Sequence, residues 1–248
     1  MLVPSLWVDG MAFGRSILRG GENPWAKPEE LGLFHRELAS LLNLDFVEVS
    51  VGAAIEALLE NSPDGPDGDD IEAIEDFLNG PALSAYVIRG IDVVLGGAGG
   101  GPIAISLPGP GMIARRFMGA VSVDENTLDD LSVALTGLVR AVYRQGIGFM
   151  RITEGEPRAL EFMTPLTNVA GHYQCKSVLV LRDEAKSSDA PAGFEAVFRE
   201  GDGEILQSSW WHAANEAPQG EKLFAELPDD MEPEAVLRRY AALKAAYK

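Results

Sequence analysis

Hydrophobic and polar positions between Pro102 and Pro157 spell one strand–loop–helix–strand unit. Pro102–Leu107 (PIAISL) is an apolar run of strand length, Pro108-Gly-Pro-Gly111 breaks it, and a helical stretch opens at Met112. A long helix is expected from Asp124 to Gln145, stopped by Gly146. Ile147–Thr153 then forms the next strand, and Glu154-Gly-Glu-Pro157 carries it into a loop. A strand whose far end meets a Gly/Pro loop and then acidic residues is how an α/β barrel builds one wall of its active-site mouth.

The flanking pattern extends this rhythm unevenly. Leu2–Val8 reads as a first strand, followed by a short helix or loop to Arg19. Pro28 opens a helix to Leu42 with Leu31, Phe34, Leu38, Leu41 and Leu42 on one face. Asp45–Val51 alternates as a strand and Gly52 leads into a helix over Ala53–Glu60. Asn61–Asp70 reads as a solvated loop, since the spacing and closing glutamate of a calcium loop are missing. Asp70 caps a helix that turns Ile71, Ile74, Phe77 and Leu78 inward, Leu83–Leu95 is helical, and Gly96–Gly101 is a flexible connection. After Pro157 a helical turn is expected at Glu161–Leu166, and strands at Ser177–Leu181, Phe194–Phe198, Ile205–Trp211 and Leu223–Leu227. These are separated by loops such as Glu184–Gly193, and a helix opened by Pro233 closes the chain. The fold expected is α/β: a single (β/α)8 TIM-type barrel over residues 1–248, shortened or distorted in its C-terminal half.

Composition narrows the function. A domain of 248 residues with 46% hydrophobic content suits one barrel with a real core. The formal charge of −18 opposes a polyanion surface and no Lys/Arg cluster appears, so no nucleic-acid partner is expected. Cys175 is the only cysteine, which rules out an intrachain disulfide and favours a reducing compartment. No basic, apolar leader opens the chain and no run reaches the length of a membrane span, so a cytoplasmic protein without membrane contact is expected.

Leu107–Arg116 (LPGPGMIARR), the long helix after it and Gly148–Pro157 (GFMRITEGEP) together resemble a known order of motifs. It is that of the superfamily of uroporphyrinogen decarboxylase, the cobalamin-independent methionine synthase catalytic domain and the corrinoid-dependent methyltransferases. The opening Pro4–Arg15 with Arg19 is similar to the decarboxylase's start, where two arginines four apart grip substrate carboxylates, and Leu227–Val236 is similar to the family's closing strand, proline and helix. The resemblance covers residues 100–157 and the two ends. It implies a barrel, a small-molecule site at the carboxyl ends of the strands, and methyl transfer or decarboxylation of a carboxylated substrate. Two departures stand out. The methyltransferases' His-x-Cys zinc motif is replaced by His172-Tyr-Gln-Cys175 with no second cysteine, and the segment Val47–Gly52, where the decarboxylase carries an aspartate, holds Glu48 and Ser50.

Individual residues carry competing readings. Glu154 and Glu156, at a strand's exit, suit general acid–base work or the orientation of a substrate; alternatively they cap a helix starting near Pro157. Arg115 and Arg116, early in the helix after the Gly-Pro loop, suit an anion, or else pair with nearby glutamate and solvent. Arg15 and Arg19 are substrate-binding residues on the resemblance. His172 and Cys175 offer zinc a nitrogen and a sulfur with Glu154 as a third ligand, against a buried thiol and a structural imidazole. Trp211, in Trp210-Trp211-His212, offers an apolar wall for a flat ligand; the alternative places one ring of the pair in the core and the other at a contact between two copies of the chain. His35 lies inside a helix and is not a catalytic candidate. Three functions follow: an enzyme on a small, anionic molecule; a barrel that binds such a ligand without catalysis; and a partner subunit of a methyltransferase docking through Trp210–Trp211.

Overall fold

A computed structural model describes residues 2–61, 65–66, 68, 70–97, 101–119, 123–200, 202–213, 217–218 and 220–247. It shows an α/β fold in which every strand pairs in parallel. In chain order the elements are β1 (Leu6–Asp9), α1 (Met11–Arg19), α2 (Leu31–Leu42), β2 (Val47–Ser50), α3 (Val51–Glu60), α4 (Ile71–Asn79), α5 (Pro81–Gly97) and β3 (Ile103–Pro108). There follow α6 (Pro110–Met118), α7 (Glu125–Val142), β4 (Ile147–Glu154), α8 (Thr164–His172), β5 (Lys176–Leu181), β6 (Ala196–Arg199), α9 (Ser208–His212), β7 (Leu223–Glu226) and α10 (Pro233–Ala246). Strands β2-β3-β4-β5-β6 form one sheet in sequence order, and β1-β7 form a second. Among the described residues no helix is long and apolar enough to cross a membrane.

Three apolar clusters explain the layering. Ile105, Leu107, Met150, Ile152, Leu179 and Leu181 point from one face of the large sheet toward the helices packed on it. Val8, Leu223, Ala225 and Leu227 do the same from the small sheet, against residues of α2 and α10 such as Leu38, Val236 and Tyr240. The opposite faces of both sheets share one cluster, in which Trp7, Phe149, Val180, Phe198 and Phe224 meet. The strands are therefore apolar on both faces over most of their length, as parallel strands covered by helices must be. Ile205 extends this contact by pairing in parallel with Phe224.

Several local expectations are corrected. Ile205–Trp211 is not a strand: only Ile205 bridges, and Ser208–His212 is helical. After the Ile205 bridge the chain makes one helical turn instead, and both Trp210 and Trp211 are buried there. Leu41 is 40% exposed instead of facing inward with Leu38 and Leu42. The turn expected at 161–166 is a 3-10 segment over Pro157–Phe162, followed by the full helix α8, whose Thr, Gly and His positions blur its apolar stripe. Gly96 and Gly97 close α5 instead of joining a flexible connection, whose residues 98–100 lie outside the described residues, as do 62–64, 67 and 69 of the acidic loop.

Candidate functional site

Side chains alternate along each strand, and this sends every second residue of β1, β2, β3, β4 and β7 toward the shared face. At the carboxyl ends these positions are Asp9, Ser50, Ser106, Thr153 and Glu226, and all of them line one cleft of about 870 Å³. Arg182 and Glu200, just beyond the ends of β5 and β6, also line it. A concave site of this size is in the range that holds a metabolite-sized molecule.

The floor of the cleft is built around one buried cation. Arg151 of β4 is 6% exposed. Its Nε and Nη2 donate to both oxygens of Glu48 at 3.0 and 2.5 Å, and Nη2 also donates to Asp9 Oδ2 at 2.8 Å. Nη1 donates to Thr153 Oγ1 at 2.8 Å, and the guanidinium stands 5.1 Å from the centre of the Phe224 ring. Glu48 is held from its other side by the Trp7 indole N–H at 2.7 Å, and Asp9 Oδ1 accepts the Met11 amide at 3.0 Å. Burial pushes the Glu48 carboxyl up, while Arg151 opposes the shift and the Asp9 charge adds to it. Burial pulls the Arg151 guanidinium down, but the Glu48 and Asp9 carboxylates together outweigh it and raise it, so it stays charged. Beside this trio Arg182 pairs with Glu226 at 2.6 Å.

The wall carries two arginines that pair with no carboxylate among the described residues. Arg15 of α1 donates only to the Gly21 carbonyl, at 3.0 Å, and Arg116 of α6 has neither a hydrogen bond nor an ion pair among the described residues. Asp229 and Asp230, after β7, also line the cleft; Ser16 of α1 donates to the Asp229 carbonyl at 3.4 Å, and Asp230 lies 3.9 Å from His212. Trp211 is 1% exposed and contributes to the lining, and its indole N–H has no acceptor among the described residues.

Glu154 lies elsewhere. Alternation along β4 puts it with Met150 and Ile152 on the helix side, opposite Arg151 and Thr153, and it is fully buried there. One carboxylate oxygen accepts the Gly111 amide at 2.9 Å; the other accepts the Gly155 and Glu156 amides at 2.7 and 2.9 Å. Burial pushes this carboxyl up to about 7 against the pull of the three amides. It clamps the start of α6 to the loop leaving β4, and explains the Pro108-Gly-Pro-Gly111 sequence. A Cβ at Gly109 would stand 2.3 Å from Glu154 Oε2, and one at Gly111 2.6 Å from Oε1.

The remaining candidates are also displaced from the cleft. Glu156 caps the 3-10 segment by accepting the Arg158 amide and pairs with Arg158 at 2.9 Å. Arg115 pairs with Asp183 at 2.9 Å on the surface. It and Arg116 occupy the last turn of α6, where positive charge suits the helix end, so no anion is needed to excuse them. Arg19 pairs with Glu37 at 3.6 Å and stands 5.6 Å from the Phe34 ring centre. His172 is exposed at the end of α8, while Cys175 is buried and its thiol is pushed up to about 12 by that burial. Among the described residues no group of three His, Cys, Asp or Glu side chains could hold a metal ion, so His172, Cys175 and Glu154 do not form the zinc site weighed for them. Trp210 and Trp211 are both buried edge-to-face, 5.0 Å between centroids, which takes away the exposed strand that docking onto a methyltransferase would use.

Sequence reading therefore placed Arg15, Arg116 and Trp211 at the cleft and missed its floor. The available signal was Arg151 itself, a charged residue inside an apolar strand buried on both faces. Such a cation needs acid partners, and Asp9 and Glu48 occupy inward positions of β1 and β2. No protein-family model matches the chain, and no curated protein matches its sequence.

Proposed function

We propose that the seven strands close into one shortened barrel of the (β/α)8 type whose mouth binds and transforms a small carboxylated molecule. Closure is supported by the cluster that both sheets share, by the Trp7–Glu48 hydrogen bond from β1 to β2, and by the backbone bonds of Glu204 and Leu206 with Phe224 between β6 and β7. The resemblance to the uroporphyrinogen decarboxylase and methionine synthase superfamily supplies the reaction class, decarboxylation or methyl transfer. The acids and arginines that line the cleft support the former, which needs an anion held and a proton supplied.

The observation that carries this reading is the convergence of Arg15 and Arg116, free of acid partners among the described residues, on a cleft lined by Asp9 and Arg151. Arg15 and Arg116 hold the substrate carboxylate, and Asp9, which borders the cleft and accepts from Arg151, is the acidic group offered to it. Withdrawal of Glu154 from the cleft favours a second reading, a barrel that binds the same ligands without turning them over.

A thermal-shift screen of di- and tricarboxylates tests the pocket. A charge-assisted hydrogen bond is worth about 1.5–3 kcal/mol, so Arg15→Ala or Arg116→Ala weakens the best ligand by roughly tenfold to a hundredfold. Affinity unchanged in both variants would refute the anion site. Product formed from a stabilising ligand separates the enzyme from the binding barrel.

A further inference from the structure

The floor of the cleft does not balance electrically when every group is ionised. Asp9 and Glu48 bring two negative charges to the single positive charge of Arg151, and Arg182 with Glu226 is already a neutral pair beside them. The other groups packed against the trio carry no charge: the Trp7 indole from β1, the Met11 amide from α1, the Thr153 hydroxyl from β4 and the Phe224 ring from β7. Both carboxylates meet the same nitrogen, Arg151 Nη2, so they lie within a few ångströms of each other. Glu48 and Arg151 are shut away from water, with side chains 9% and 7% exposed, while Asp9 is 21% exposed and borders the cleft. An uncompensated charge so placed is costly, and two neighbouring carboxylates commonly resolve that cost by sharing a proton.

We infer that Asp9 and Glu48 hold one proton between them against Arg151, and that this proton is the acid the cleft offers to a bound ligand through Asp9. The burial that raises the Glu48 carboxyl acts in the same direction. The inference rests on the reading of the cleft as a small-molecule site. With the proton in place the floor is neutral and an anion seated on Arg15 and Arg116 meets no repulsion; without it the floor is negative and the anion is opposed. In a decarboxylation the bond between the substrate carbon and its carboxylate breaks and carbon dioxide leaves. The electron pair left on carbon takes the proton from Asp9, which is recharged from water in the open cleft.

The pair has a signature that a single buried acid lacks. Removing either carboxylate leaves the other fully matched to Arg151, so the proton is no longer needed. Infrared spectra of the free protein at about pH 6 are expected to show a protonated-carboxyl C=O band that disappears in both Glu48→Gln and Asp9→Asn. Each variant is judged alone if the other fails to fold, and Glu154→Gln identifies the separate contribution of that clamp. Citrate, used as the probe anion, is expected to bind wild type about tenfold or more weakly once pH passes the titration of that band, and to bind Glu48→Gln with no such step. A band that is absent, or that survives both floor substitutions, overturns the shared proton whatever the binding result. Failure of wild type to bind citrate or any other polycarboxylate, with the band behaving as expected, overturns the cleft reading and with it the role of the proton as an acid for a ligand.

Discussion

At the scale of single residues, strand alternation decides which acid does what. Glu154 and Thr153 are neighbours in sequence, yet one is buried against the helices and the other faces the cleft. The position of Glu154 at the exit of β4 was legible from the sequence; its direction was not, because a strand apolar on both faces gives no sign of which face is which. Arg151 was the residue that breaks this symmetry.

Titration follows from the same burial. The folded protein raises the Glu154 carboxyl from 4.5 to about 7, so it holds the proton more tightly than the unfolded chain does. Its favourable contribution is complete below about pH 4.5 and is lost as pH rises toward 7, on the order of 3 kcal/mol. His35, buried in α2, is lowered by desolvation from 6.5 to about 3, and works in the opposite sense. The unfolded chain takes the proton first, so stability falls as pH drops below about 6.5. Urea midpoints measured across pH should therefore rise more steeply between about pH 4.5 and 7 in Glu154→Gln than in wild type, and less steeply in His35→Leu. Parallel profiles for all three proteins would contradict both assignments.

At the scale of elements, the β3–α6 and β4 exits form one unit through the Glu154 clamp. Both turns were legible from their Gly and Pro residues, but not the carboxylate that joins them, since the contact spans 43 positions. The glycines are required by close approach: a methyl group at Gly111 would stand 2.4 Å from Glu156 Cβ. Gly111→Ala should lower stability by about 1–3 kcal/mol, the usual cost of overpacking. Gly171→Ala is the control. It lies in α8 with nothing within 4 Å of the added carbon, and should be neutral or gain up to about 1 kcal/mol from helix propensity. Denaturant unfolding of the two variants distinguishes them, and equal effects would remove the clamp argument. The 205–211 segment shows the limit of pattern reading, because Ile-Leu followed by polar residues and two tryptophans satisfies strand composition as well as a helical turn.

At the scale of the whole molecule, parallel strands brought the site together. The alternation of strands and helices in the front half was readable, and it implies parallel pairing with strand exits on one side. The helix-poor stretch after β5 was also readable, and there β5 reaches β6 through a 3-10 segment at Asp183–Ser187. The pairing of β1 with β7 was not readable, because it joins the two ends of the chain by contacts that no local pattern encodes. That pairing brings Asp9 and Glu226 to the cleft beside Arg151 and Arg182. The central claim is that one mouth, fed by all seven strands, receives an anion. The most direct measurement is a crystal structure grown with the polycarboxylate that stabilises the protein best. The account predicts the ligand in the cleft, its carboxylates on Arg15 and Arg116 and its far end over Asp9. A ligand bound outside the cleft, or within it with both arginines left free, would contradict the account.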